Sequence, residues 1–191
     1  MSGLFMAFIG AALIHNVVLT QFLGADSCFG VSGQVKVSMI MGGVMVAVLT
    51  LVSALASLLY DFVLTPLGLE FLKTAVFILA AAVLVWGFRQ VMKARFPGAD
   101  KTLTPLYPLM VANSAALGVA LTNIQNGYHF GECVLSGFGA GLGYAIVVFL
   151  LSCIRAQMRE EDVPESLRGA PIVLIAAALM SIAFMGFANL S

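Results

Sequence analysis

"ILAAAVL", residues 78–84, returns 96 positions later as "LIAAALM", residues 174–180. Each copy is followed within a few residues by a Gly-Phe step, Gly87-Phe88 in one case and Gly186-Phe187 in the other. Further upstream, Asn16 has a counterpart in Asn113, and the Leu23-Gly24 step has one in Leu117-Gly118, at nearly the same spacing. Agreement at three separated places predicts a duplicated chain, with one copy over about residues 1–95 and the second over about 96–191.

The medium in which the copies fold follows from composition. The chain is 61% hydrophobic and 9% charged, with a mean hydropathy of +1.06, far from the balance of a soluble domain. Residues 1–25, 37–60, 74–88, 102–128, 133–154 and 169–191 contain no Asp, Glu, Lys or Arg. Each window approaches the ~20 residues that cross a bilayer. The third is short, but Lys73 and Arg89 flank it and can extend their charged heads to the interface. The sequence therefore predicts an all-α integral membrane protein, a single membrane domain over 1–191 with six transmembrane helices. Three spans per copy send the second copy into the membrane from the opposite side, giving two inverted three-helix repeats.

Basic residues set the orientation. Lys36, Arg89, Lys93, Arg95, Lys101, Arg155, Arg159 and Arg168 fall in the three loops of one side, and only Lys73 on the other. By the positive-inside rule both termini are expected on the non-cytoplasmic side of a bacterial or archaeal cytoplasmic membrane. The uncharged start MSGLFMAFIG has no basic n-region, so the first helix is expected to be retained. Zero formal net charge and the absence of basic runs argue against nucleic-acid binding.

Helices 1 and 4 carry the polar and helix-breaking content: His15, Asn16, Gln21 and Gly24 in the first, and Pro105, Pro108, Asn113, Ser114 and Gly118 in the fourth. Irregular backbone at membrane depth survives only where protein buries it or a cavity is lined by it, so interrupted helices 1 and 4 in matching positions point to a central site. Asn16, Gly24, Asn113 and Gly118 are the residues expected to shape it, the two asparagines either there or as interhelical hydrogen bonders. The break in helix 1 is expected over 24–33, and His15 reads as a packing histidine. "SGFGAGLGY", 136–144, holds two overlapping GxxxG patterns, 137/141 and 139/143, which predict very close helix packing. The charged loop 155–169 is a solvated connector or a docking segment. Three cysteines without CxxC spacing encode neither a disulfide framework nor a zinc site, and Cys133 and Cys153 read as packing residues. No nucleophile–base set or paired catalytic carboxylates are visible, so no activity is expected of the isolated chain.

"HNVVLTQFLG…FGVS" (15–32), "PLMVANSAALGVALTNI" (108–124), "DVPESLRG" (162–169) and "ALMSIAFMGF" (178–187) together resemble the A-type subunit of the Rnf ion-translocating electron-transport complex. The E-type subunit of the sodium-pumping NADH:quinone reductase shares the pattern more loosely. The resemblance implies a membrane subunit that pairs with a homologous six-helix subunit of opposite topology, the Rnf E-type subunit. Other subunits would carry flavin and Fe–S groups, and electron transfer between ferredoxin and NAD(H) would be coupled to Na⁺ or H⁺ movement. It also implies a [2Fe–2S] cluster shared by the two homologous subunits. Its cysteine ligands would lie two residues after the FLG glycine and directly after the helix 4 asparagine. Those positions here are Asp26 and Ser114, with Cys28 two residues further on. Soft sulfur suits such iron better than carboxylate or hydroxyl oxygen, so Cys28, Asp26 and Ser114 are the candidate metal residues. Ligation by Cys28, ligation by oxygen and no cluster on this chain stay open. Asp26 is open too, between an ion or proton site and a solvated carboxylate. The reading from a different class is a six-span component of a transporter that binds a small, vitamin-type solute.

Overall fold

The computed structural model describes residues 8, 10–14, 16–95, 103–111, 113–159, 161 and 163–186, apart from the side chains of residues 13, 14 and 26. The start of the first predicted span, His15 and the end of the sixth lie outside the described residues. Within them every regular element is helical. A π-helical turn, Gly10–Ile14, precedes α1 (Val17–Gln21) and α2 (Ala25–Val31). α3 (Val35–Leu59) runs on through a π-helical turn, Tyr60–Leu64, and α4 (Lys73–Arg95) follows. α5 (Tyr107–Val111), α6 (Ser114–Gln125), α7 (Phe130–Gln157) and α8 (Ala170–Met185) complete the chain.

Four of these runs, Val35–Leu67, Glu70–Arg95, Thr104–Gln125 and Phe130–Gln157, are long and apolar enough to cross a membrane, and α8 is a shorter apolar helix. At 1.5 Å per residue α7 is about 42 Å long, more than the hydrocarbon core of roughly 30 Å. Its start is fixed by a capping box, in which the His129 N–H donates to Glu132 Oε2 at 3.1 Å. α3 and α4 are separated by a turn at Gly68, whose φ of 65° suits glycine.

The core is the crossing of α3 and α7. Glycines let their backbones touch: a Cβ at Gly42 would lie 3.1 Å from Ala145 Cα, one at Gly141 2.6 Å from Val46 Cα, and one at Gly137 2.9 Å from Leu49 O. Numbers rise along one helix as they fall along the other, so the helices run antiparallel. The second glycine stripe serves another neighbour. A Cβ at Gly139 would lie 2.5 Å from Phe8 O, and one at Gly143 2.6 Å from Ala12 O. The two GxxxG patterns thus pack α7 against two different segments of the first half, as their spacing predicted.

α4 packs on α6 and α8 on α1. The repeated alanine motifs do the same work in both places. Ala81 of α4 and Ala176 and Ala177 of α8 are buried, whereas Leu79 and Val83, like Leu179 and Ile182, are exposed. In a bilayer such apolar faces are satisfied by lipid or by another subunit, and the small residues mark the side where helices meet. α4 is also tied to α5 by the Arg89 guanidinium, which lies 5.3 Å from the Tyr107 ring centroid.

Candidate functional site: the crossing of the broken helices

Both predicted interruptions are present, and asparagine heals each of them. Asn16 is the N-cap of α1, and its Oδ1 accepts the N–H groups of Val18 at 3.0 Å and Leu19 at 3.4 Å. Its Nδ2 donates back across the break to Ala12 O at 3.1 Å. One side chain therefore satisfies donors on one side of the gap and an acceptor on the other, which buried backbone without water requires. Asn113 caps α6 in nearly the same backbone conformation, with ψ of 112° against 114°, and accepts the Ala115 N–H at 2.8 Å. Its Nδ2 reaches out of its own half, donating to Ser27 Oγ of α2 at 2.9 Å.

Ser27 joins Asn113 to two further partners. Its hydroxyl donates to Gly24 O at 2.8 Å and lies 2.9 Å from the Tyr144 hydroxyl of α7. All three side chains, Ser27, Asn113 and Tyr144, are buried. The turn between α1 and α2 is driven into this cluster. Phe22 takes a left-handed φ of 56° and Gly24 one of 77°. A Cβ at Gly24 would sit 3.0 Å from both Ala115 Cβ and Asn113 Oδ1, so close approach and conformation both call for glycine. The Gly24 N–H donates to Ser114 Oγ at 2.8 Å. Gly118, within α6, leaves room for Leu23.

Of the four expected site-shaping residues, Gly24 and Asn113 meet and Gly118 packs on the neighbouring Leu23, whereas Asn16 bonds only within its own segment, so the roles are not those the repeat foretold. Gly24 turns the chain, whereas Gly118 lies in regular helix, so the Leu-Gly steps are not structural equivalents. The break expected over 24–33 is also corrected. Residues Ala25–Val31 form α2, and the interruptions fall at Asn16 and at Phe22–Gly24. Ser27 and Tyr144 were not foreseen, and neither was a second buried network. There Asn123 Nδ2 donates to Ser53 Oγ at 2.6 Å, Ser136 Oγ donates to Asn123 Oδ1 at 2.7 Å, and Ser53 Oγ donates to Cys133 O at 2.6 Å.

Of the candidate metal residues, Cys28 and Ser114 have described side chains, and they stand in different surroundings. Cys28 is fully buried and lines an apolar cavity of about 10 Å³ with Val18, Leu19, Val147 and Met180. Ser114 is exposed and accepts the Gly24 N–H. Asp26 takes its place in α2, with its side chain outside the described set.

The whole chain can be compared with known proteins. Residues 4–191 match the family model described as "Rnf-Nqr subunit, membrane protein". The chain belongs to the Rnf-Nqr family of membrane subunits. Among curated relatives, the A-type subunit of the ion-translocating oxidoreductase complex of Hahella chejuensis is 42% identical over 190 residues, covering 100% of this chain and 98% of that protein. The proteins of the same name from Sodalis glossinidius and Vibrio campbellii are each 40% identical over 190 residues, which is 98% and 99% of their lengths.

For this Rnf-Nqr protein the soft ligand that the sequence offers near the crossing is Cys28. Iron–sulfur clusters take thiolates, yet Cys28, the cysteine near the crossing, is enclosed by hydrocarbon. The described residues contain no group of three or more His, Cys, Asp or Glu that could hold a metal. The described residues thus offer no assembled thiolate set for a [2Fe–2S] group, and the side chain of Asp26 lies outside them. The expected result is that Cys28→Ala leaves the iron content and paramagnetic spectrum of the intact complex unchanged, at a packing cost on the order of 1 kcal/mol. A lost or shifted signal would return Cys28 to the ligand set.

Proposed function

We propose that this chain is the A-type membrane component of an ion-translocating oxidoreductase complex, in which electron transfer between ferredoxin and NAD(H) carriers drives Na⁺ or H⁺ across the membrane. The end-to-end likeness to subunits of that name carries the reading. The isolated chain has no activity of its own, and its work is done with other subunits that carry flavin and Fe–S groups.

Within that reading the fold is two inverted three-helix repeats, over about 1–95 and 96–191. Three features support it: the antiparallel α3–α7 crossing, the exchange of partners in which α4 packs on α6 and α8 on α1, and the matched asparagine caps. Half-helices joined through side-chain hydrogen bonds are the parts of such a fold able to shift as units. The crossing around Asn113, Ser27 and Tyr144 is accordingly where movement in one repeat reaches the other. The exposed apolar faces of α4 and α8 suit a homologous six-helix partner of opposite topology. Because this chain lacks the thiolate pair, its share is to shape and transmit at the crossing, with Asn16, Gly24, Asn113 and Gly118 in the shaping roles.

Both termini are placed on the non-cytoplasmic side of a bacterial or archaeal cytoplasmic membrane. A cysteine introduced at Ser2 is then labelled by a membrane-impermeant reagent in intact cells, and labelling only after lysis would reverse the orientation. Gentle affinity purification tests the function. Flavin- and Fe–S-bearing subunits should accompany the tagged chain, whereas a chain carrying a bound vitamin-type solute, with neither flavin nor iron, would identify a transporter component.

A further inference from the structure

Where α7 ends and α8 begins, the chain forms an open pocket of about 130 Å³. Arg155, Arg159 and Arg168 line it together with apolar Met158, Ile172 and Val173. Of the carboxylates in this loop, the exposed Glu161 and Glu165 stand outside the lining, and Glu160 and Asp162 lie outside the described residues. The hydrogen bonds described for these arginines go to neutral acceptors. Arg155 Nη1 donates to Phe29 O at 3.1 Å and to Ser32 Oγ at 2.7 Å, and Arg168 Nε donates to Val163 O at 3.0 Å.

Three guanidinium groups around one cavity repel each other, and an anion among them reverses the sign of that interaction. Position narrows the anion's chemistry. Arg155 stands in the last turn of a membrane-length helix and Ile172 in the first turn of the next apolar one, which is where the boundary between hydrocarbon and water is expected. A free oxyanion would need the guanidinium groups alone. The hydrocarbon of Met158, Ile172 and Val173 beside them suits a ligand whose anionic head continues into an acyl stem.

We propose that this pocket holds the phosphate of an anionic phospholipid, gripped by Arg155, Arg159 and Arg168. Basic pockets between membrane helices near the interface select such headgroups, and the planar guanidinium suits phosphate oxygens. Arg155 also holds the C-terminal end of α2, so the bound lipid steadies the segment that leads into the Asn113–Ser27–Tyr144 crossing. The proposal rests on membrane residence and not on the redox reading.

Native mass spectrometry of the delipidated complex containing the full-length chain tests it, with phosphatidylglycerol and phosphatidylcholine as probes and inorganic phosphate as competitor. Phosphatidylglycerol should bind in preference, with an affinity that falls as salt rises. Binding should be about thirtyfold weaker in the Arg159→Gln/Arg168→Gln double variant. Both side chains are exposed, so the variant should assemble, and the corresponding Lys pair should keep most of the affinity. Equal binding of the two lipids, a salt-independent affinity or an unchanged double variant would overturn the site. Displacement of the lipid by inorganic phosphate at matching concentration would overturn its assignment to a phospholipid.

Discussion

Replacing Gly141 by leucine is expected to abolish accumulation of the assembled protein. The first added carbon alone would lie 2.6 Å from Val46 Cα and 3.2 Å from Val46 O, which are backbone atoms of α3 that cannot swing aside. Three further carbons have no space at all. Ordinary overpacking of a core costs about 1–3 kcal/mol, and here the helices themselves must part along the crossing that organises the fold. The same outcome is expected for Gly139→Leu, whose Cβ would meet Phe8 O at 2.5 Å. Gly87 in α4 is the control, because a Cβ there meets nothing within 4 Å. Immunodetection in membranes should find Gly87→Leu at wild-type level and the other two absent. Normal accumulation of Gly141→Leu would mean that α3 and α7 do not pack as described.

Asn113→Leu is expected to lower the thermal unfolding midpoint of the purified complex by about 10 °C. Losing a helix N-cap costs about 1 kcal/mol. Removing the amide that donates to the buried Ser27 adds roughly 1–3 kcal/mol, and a chain of this size loses about 2–4 °C per kcal/mol. Asn113→Ser keeps a capping oxygen and should lose less than half as much. Asn16→Leu should also be milder, since the Asn16 amide bonds only within its own segment. An unchanged midpoint in Asn113→Leu would remove the crossing from the account.

How much of this could be read in the sequence depended on whether a feature is local. That helices 1 and 4 are interrupted was legible in their polar and helix-breaking residues, but the place of the break in helix 1 was not, because the capping role of Asn16 shows only in its backbone conformation and hydrogen bonds. The glycine stripes were legible because spacing alone places 137/141 and 139/143 each along one line of the helix, the two lines on nearly opposite faces. Which neighbour each line meets was not, since that depends on how distant segments cross. Residues 25–31 were misread for a local reason. Gly24, Gly30 and Gly33 suggested a continuous break, but only Gly24 of the three takes a positive φ, and the turn is completed by Phe22, a residue that rarely adopts that conformation. Ser27 and Tyr144 carry no signal of their own, because each becomes notable only when α2, α6 and α7 bring them within hydrogen-bond reach of Asn113. Cys28 looked like a ligand by its place in the chain, and its apolar enclosure by α1, α7 and α8 is a tertiary fact.

Ion uptake by inverted membrane vesicles, driven by electron transfer from reduced ferredoxin to NAD⁺, is the decisive measurement. Deleting this chain should abolish redox-driven uptake of Na⁺ or H⁺, and the wild-type chain should restore it while the Gly141→Leu chain does not. Redox-driven uptake that continues at the wild-type rate without this chain would contradict the proposed function.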